Sequence, residues 1–242
     1  MMIEAWNGTG DGVLREETLL LRACRAGAYG DRVRYDGGEV CRAHFVYLCG
    51  RPDGALLEQR PELFFDTLLV CASEAWAAFL RGQPELDSVL VRRLMKPLRA
   101  PAPKALPPLP EGYRLAPFDA AAFNAHPYGQ GLVYGSYEAF ADRGSGAVVW
   151  HGDRIVASAS SHLTFANEVE LDVTTDAGHR RRGLADHCVA AMLDDCAARG
   201  LTVHWDAKNT PSMNMAQSHG FRLQQEYAVY ILKLSRKTLK KS

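Results

Sequence analysis

Arg180-Arg181-Arg182-Gly183-Leu184-Ala185 joins an alternating run, Glu168 to Val173, to a regular apolar pattern that begins at Leu184. The run reads as a strand and the pattern as a helix, so three cationic side chains and a glycine gather where a helix starts. The first turn of a helix carries N–H groups with no acceptor inside the helix, and it is the positive end of the dipole. Such a loop suits an anion, and a pyrophosphate above all. On the strand, Glu168, Glu170 and Asp172 alternate with Val169, Leu171 and Val173, which puts the carboxylates on one face. A carboxylate there could take the proton of an amine, through water. The same residues read equally well as a solvated acidic face that attracts a cationic substrate. His162 and His204 are reserve candidates for the base.

The neighbouring elements must hold that loop in place. Ala147 to Trp150 and Arg154 to Ala159 flank His151-Gly152-Asp153, a hairpin pattern. A turn at Phe165-Ala166-Asn167 leads into the acidic strand, so three antiparallel strands deliver the chain to the arginines. Beyond them Leu184, Cys188, Met192 and Cys196 recur every four residues, beside Ala185, Val189 and Leu193, giving a helix to about Arg199 that Gly200 stops. Leu201 to Asp206 reads as the next strand. A short helix follows, with Thr210 as N-cap, Pro211 at its first position and Gly220 at its end. Phe221 to Leu234 supplies one or two closing strands. Upstream, Tyr113 to Pro117 reads as a short strand, and Asp119 to Arg143 as helix or loop with a break near His126-Pro127-Tyr128-Gly129.

The stretch Lys96 to Gly112 contains six prolines. Each fixes φ and removes a backbone donor, so an extended linker is expected over 97–111. It separates a smaller α/β domain, 1–96, from the domain that carries the loop, 112–242. In the smaller domain Glu16 to Ala26 reads as a helix, and Val40 to Leu48 and Phe65 to Cys71 as strands. A turn is expected at Gly50-Arg51-Pro52-Asp53-Gly54. Ser73 and Glu74 open a helix over Ala75 to Leu80, with Trp76 and Phe79 in the core. The fold class expected is α/β (α+β).

Composition narrows the function. The 242 residues are 47% hydrophobic and 23% charged with zero formal charge, which speaks against a dedicated nucleic-acid binder. The basic run Lys233 to Lys241 reads as a solvated terminus. No stretch reaches the length of a membrane span, and Met1-Met2-Ile3-Glu4 opens no signal peptide, so a cytoplasmic protein is expected. Six cysteines without a C-x-x-C pair, several among apolar neighbours, read as reduced core thiols. Eight histidines without H-E-x-x-H spacing suggest no metal site.

Arg180-x-x-Gly183-x-Ala185 resembles the signature Gln/Arg-x-x-Gly-x-Gly/Ala of the GNAT superfamily of acyl-CoA-dependent N-acetyltransferases. Asn209 after the next strand and Gly220-Phe221 at the end of the following helix fit the same pattern. Leu109-Pro110-Glu111-Gly112-Tyr113, the long hairpin, Asp172-Val173-Thr174-Thr175, and Trp205-Asp206-Ala207 with Asn209 and Ser212 resemble a bacterial subfamily of zwittermicin-resistance type.

The resemblance implies a mixed, mainly antiparallel sheet flanked by helices, with acetyl-CoA as the cofactor. Backbone N–H groups from Arg181 through Arg182, Gly183, Leu184 and Ala185 would hold its pyrophosphate, with Arg180 and Arg182 adding charge-assisted contacts. The pantetheine arm would lie along Leu171, Val173 and Thr175 as an added strand does, with Asn209 and Ser212 contacting it. Val173 N–H would serve the thioester carbonyl. The expected reaction is direct attack by a primary amine, of a small molecule, in a ternary complex, with Glu170 or Glu168 as base. An acyltransferase on a protein or peptide amine and a non-catalytic acyl-CoA-binding regulatory module are the alternatives; a homodimer is compatible with each. Two positions depart from the family. Arg181 stands where many members have glycine, so its backbone is expected in a conformation that a non-glycine residue tolerates. Ala216 stands where many have a tyrosine that protonates the leaving thiolate, so Ser212 or a bound water does this, or the thiolate leaves unprotonated.

Overall fold

The computed structural model describes residues 4–8, 10–98, 104–126 and 131–233. In chain order its first elements are α1 (Leu19–Arg25), β1 (Asp31–Tyr35), β2 (Gly38–Arg42), β3 (Val46–Gly50), α2 (Gly54–Gln59), β4 (Leu69–Cys71), α3 (Glu74–Arg81) and β5 (Leu86–Pro97). Then come β6 (Tyr113–Pro117), α4 (Ala120–Ala125), α5 (Gly131–Tyr134), α6 (Tyr137–Arg143), β7 (Gly146–His151), β8 (Arg154–Phe165) and β9 (Glu168–Thr175). The chain closes with α7 (Leu184–Ala198), β10 (Thr202–Ala207), α8 (Thr210–Ser218) and β11 (Phe221–Leu232).

Two compact units result. One holds Met1–Leu94, Ala207–Met213 and Leu223–Ser242; the other holds Met95–Asp206 and Asn214–Arg222. The break at Leu94 falls close to the proline-rich stretch, but the chain returns to the first unit because β11 pairs antiparallel with β4, Val229 opposite Val70. Of the expected linker, Lys96 and Pro97 end β5, and Lys104 to Pro110 has no regular structure; 99–103 lie outside the described residues. So do the basic tail from 234 onward and, in the break after α4, residues 127–130.

In the first unit the sheet order is β1-β2-β3-β4-β11-β5. The single strand expected over Val40 to Leu48 is two antiparallel strands, because Ala43 N–H donates to Phe45 O at 2.8 Å and folds the chain back. The turn expected at Gly50 to Gly54 leads directly into a helix: the Asp53 carboxylate accepts from Ala55 and Leu56 N–H and caps α2, which begins at Gly54. Ser73 caps α3 as expected. Trp76, Phe64, Leu48 and Tyr230 make the core, and the Trp76 indole N–H donates to the Tyr35 hydroxyl at 3.1 Å.

In the second unit the order is β10-β9-β8-β7-β6. β6 to β9 are antiparallel neighbours in turn, and β10 runs parallel to β9. Helix α7 packs on β7, β8 and β9 through Leu184, Cys188, Val189, Met192 and Cys196. The Cys188 thiol hydrogen-bonds main chain at Ala159 and Val149, and burial pushes it up to about 12. All six cysteines are buried and free. A second apolar cluster gathers Phe118, Ala122, Tyr134, Phe140, Val148 and Ile155 beneath α4 to α6. Among the described residues no helix is long and apolar enough to cross a membrane, and no group of histidine, cysteine and acidic side chains could hold a metal ion.

Candidate functional site

β9 has two edges with different fates. One pairs with β8 along its whole length, from Phe165↔Glu168 to Ala157↔Thr175. The other pairs with β10 at Thr202↔Glu168, Val203↔Val169 and His204↔Glu170, where the ladder ends although β10 runs on to Ala207. Past that point Asp176 N–H donates to Val156 O at 2.8 Å, toward β8. Strand alternation then turns the N–H groups of Val173 and Thr175 toward the edge that β10 has left. That edge can hydrogen-bond an extended, amide-bearing ligand.

β9 leads straight into the arginine loop. A 3₁₀ turn, Ala177–His179, precedes Arg180, and Gly183 is the N-cap of α7 with φ 76°. Space is open around Gly183: a Cβ there would meet nothing within 4 Å. Leu184 and Ala185 bury their side chains, so they present only main-chain N–H groups to a ligand. The Arg180 guanidinium folds back, Nε donating to Thr175 O at 3.2 Å. Arg182 lies over the Tyr113 ring, 5.9 Å from its centroid. Arg181 overturns the expectation of an ordinary backbone: its φ is 60°, in the left-handed region that favours glycine. The loop therefore keeps a glycine-type conformation at this position and carries the strain of an arginine in it.

An aspartate in the first turn, Asp186, could repel an anion at this helix end. Its charge is engaged instead. His219 Nε2 lies 3.0 Å from Asp186 Oδ1, and Lys104 pairs with the same oxygen while its ammonium donates to Ser218 Oγ at 2.8 Å. The His219 hydrogen bond, aided by Lys104 against the cost of burial, holds the Asp186 carboxyl at about 2.

The acidic face is not a solvated one. Glu170 is only 8% exposed, and Glu168 and Asp172 are half-buried. His204 Nε2 meets Glu168 Oε2 at the end of the β9–β10 ladder, so the structure brings Glu168, Glu170 and His204 together. His162 is the extra residue of a bulge in β8, between the pairs Ser161↔Leu171 and Leu163↔Glu170. Burial pushes its imidazole below the ordinary histidine range, against the pull of Asp172.

Asn209 and Ser212 lie in the first unit. Asn209, not Thr210, caps α8: its Oδ1 accepts from Ser212 N–H at 3.0 Å, and Thr210 is the first helical residue. Thr210 is met by the Glu4 carboxylate, which accepts from its N–H at 2.7 Å and from its hydroxyl at 3.1 Å. Ala216 is fully buried in α8.

Two groups are not legible as site residues in the sequence. Tyr113 donates to or accepts from His179 Nδ1 at 2.9 Å and stacks on His151, with ring centroids 4.8 Å apart, beside the arginine loop. His126, buried at the end of α4, reaches Ser158 Oγ at 2.9 Å, and Ser158 Oγ reaches Thr174 Oγ1 at 2.9 Å. A lone histidine near a proline carries no periodic signal; only the fold brings it over β9.

A family model described as GNAT acetyltransferase matches residues 31–230. The uncharacterized N-acetyltransferase YdfB of Bacillus subtilis (strain 168) is 29% identical over 171 residues, 67% of this chain and 64% of that protein. The chain thus matches somewhat less than two thirds of the length of that curated relative. A GCN5-related N-acetyltransferase-like protein from Streptococcus suis 89/1591 has a TM-score of 0.74 at 24% identity, over 89% of this chain and 93% of the other. A GCN5-related N-acetyltransferase from Kribbella flavida has a TM-score of 0.52 at 15% identity, over 92% and 98%. At these identities the likeness to solved structures concerns the fold.

Proposed function

Since the chain belongs to the GNAT acetyltransferase family, we propose that it transfers an acetyl group from acetyl-CoA to a primary amine of a small molecule, by direct attack with both substrates bound. The observation that carries this reading is the divergence of β10 from β9 after His204↔Glu170, with Val173 and Thr175 N–H turned to the vacated edge. The residues present fit the cofactor. An edge with strand-like donors suits the amide-bearing pantetheine arm along Leu171, Val173 and Thr175. The main-chain groups from Arg181 to Ala185, with Arg180 and Arg182, suit the pyrophosphate. Asn209 and Ser212 keep the role toward the arm that the motif implies.

Bound acetyl-CoA supplies an activated carbonyl and a fairly good leaving group. Val173 N–H is the proposed donor to the carbonyl oxygen, and a fixed main-chain dipole needs no reorganisation to act there. The amine must arrive deprotonated. Glu168 with His204, and Glu170 beside them, are the proposed acceptors of its proton: a carboxylate that orients an imidazole makes a better-placed base than either alone. With Ala216 in the tyrosine position, Ser212 or a water is the proposed donor to the departing sulfur. The matches at Leu109 to Tyr113, Asp172 to Thr175 and Trp205 to Ser212 support the finer proposal of a zwittermicin-resistance-type enzyme.

The test is acceptor-dependent thiol release from acetyl-CoA by the full chain against a broad panel of primary amines. Release with at least one amine is expected. Tight acetyl-CoA binding without release across the panel would favour the second reading, an acyl-CoA-binding module, which the buried Ala216 supports.

A further inference from the structure

Asp186 is the third residue of α7, in the turn whose main-chain N–H groups are the proposed seat of the pyrophosphate. A carboxylate there can oppose an anion in two ways. It repels the incoming charge at the helix end that would otherwise attract it. It can also reach back and accept from the unpaired N–H groups of the turn itself. Neither happens freely here. Among the described residues the Asp186 carboxylate makes its hydrogen bonds to His219 Nε2, at 3.0 Å, and to the Lys104 ammonium, and no side chain caps the turn. An ionised carboxylate only accepts, so both partners donate.

Both partners are themselves held. His219 follows α8 and is buried, so its ring is fixed by packing. Lys104 comes from the proline-rich stretch, and its ammonium also donates to Ser218 Oγ at 2.8 Å. The Ser218 hydroxyl in turn donates to Met215 O at 2.8 Å, which leaves its oxygen free to accept from the lysine. Pro107, Pro108 and Pro110 fix φ in the segment that carries Lys104 and lower the entropy cost of ordering it. Helix stability alone does not call for the lysine. A carboxylate in the first turn favours a helix unaided, and a cation brought to the same end reduces that gain.

We propose that Lys104 is a positioning residue for the cofactor: its ammonium cancels the Asp186 charge at the end of α7 that receives the pyrophosphate, and with His219 it holds that carboxylate off the N–H groups the anion needs. This rests on the acyltransferase reading. Lys104 acts through Asp186 and requires no contact with the cofactor. The proline-rich stretch, which reads in the sequence as a linker, thereby becomes part of the cofactor site. The His219 hydrogen bond orients the carboxylate, while the lysine supplies the compensating charge.

The test is calorimetric titration of CoA into the full chain at neutral pH, in low and in high salt. Lys104→Met and Lys104→Gln should each weaken CoA binding by about tenfold at low ionic strength, because one uncompensated charge then faces the pyrophosphate. The loss should shrink at about 1 M salt, where charges are screened over a few ångströms. Lys104→Arg, which keeps the charge, should retain most of the affinity, and Asp186→Asn should bind CoA at least as tightly as wild type. The double variant Lys104→Met with Asp186→Asn decides the matter: it should recover wild-type affinity within about twofold. If the cluster only held the fold together, removing a second member would restore nothing. Wild-type affinity in both neutral lysine variants, or a double variant as weak as Lys104→Met, would overturn the proposal. CoA that fails to bind the wild-type chain contradicts the acyltransferase reading instead.

Discussion

His204 faces Glu170 in the last rung of the β9–β10 ladder, and its Nε2 meets the Glu168 carboxylate at the same place. Beyond that rung the two strands diverge. The carboxylates and the imidazole thus sit where the sheet opens, and the loop that suits a pyrophosphate follows the far end of the same strand. On the proposed reading, binding and proton transfer are both organised along β9.

Removing the proton acceptor should slow turnover and spare cofactor binding. Glu168→Gln and His204→Gln are each expected to lower kcat by about a hundredfold, the usual scale for a general base. The acetyl-CoA dissociation constant should stay within about twofold. Glu170→Gln should also lower kcat, by its own carboxylate and its contact with the ladder end. Steady-state kinetics beside calorimetry on the three variants checks this; a weakened cofactor affinity with unchanged kcat would move these residues out of the base role.

Gly183 combines a left-handed backbone with open space beside it, and the proposed cofactor site uses both. Gly183→Val puts a β-branched residue at φ 76°, at a cost of about 1–2 kcal/mol, and fills the space proposed for phosphate. The variant should fold, melt a few degrees lower and lose at least tenfold in CoA affinity. Unaltered affinity would mean the pyrophosphate is held elsewhere.

Arg181 offers the complementary experiment. Its left-handed φ of 60° suits glycine, so Arg181→Gly should cost no stability, and Arg181→Val should cost about 1–2 kcal/mol. Thermal melting compares the two. Equal melting points for both variants would deny the left-handed conformation.

Much of this arrangement is legible in the residues alone. The hairpin β7–β8, strand β9 and helix α7 follow from apolar periodicity, and Tyr113 to Pro117 is the short strand expected. Other features depend on long-range pairing that no local pattern encodes. The divergence of β10 from β9 is a relation between two strands separated by a helix. β11 joins the first unit through Val70, far away in the chain. β5 is hidden because Arg92, Arg93 and Lys96 interrupt its apolar alternation before the prolines. Asn209 and Thr210 are both good caps, and only the bond to Ser212 N–H decides between them. Asp53 suits a turn as well as the cap of α2, since the same side chain serves both. Burial, which removes the solvated reading of Glu170, is a property of the packed sheet.

The Asp186 cluster makes acid stability informative. Its carboxyl is held at about 2, below its ordinary 3.8, by the His219 hydrogen bond and then Lys104. A depressed carboxyl contributes its stability above the unfolded value and loses it as pH falls from about 3.8 through about 2. Asp186→Asn should therefore cost about 1–2 kcal/mol near pH 7, after discounting for solvent screening. The difference from wild type should shrink through that window and vanish below it. A gap independent of pH would show that the contribution is one of shape, not charge.

Residue-resolved amide hydrogen exchange with and without acetyl-CoA tests the central claim most directly. Binding should protect the N–H groups of Val173 and Thr175 together with those from Arg181 to Ala185. Protection confined to other segments, or no change at a saturating concentration, would contradict the assignment of this strand edge and this loop to the cofactor.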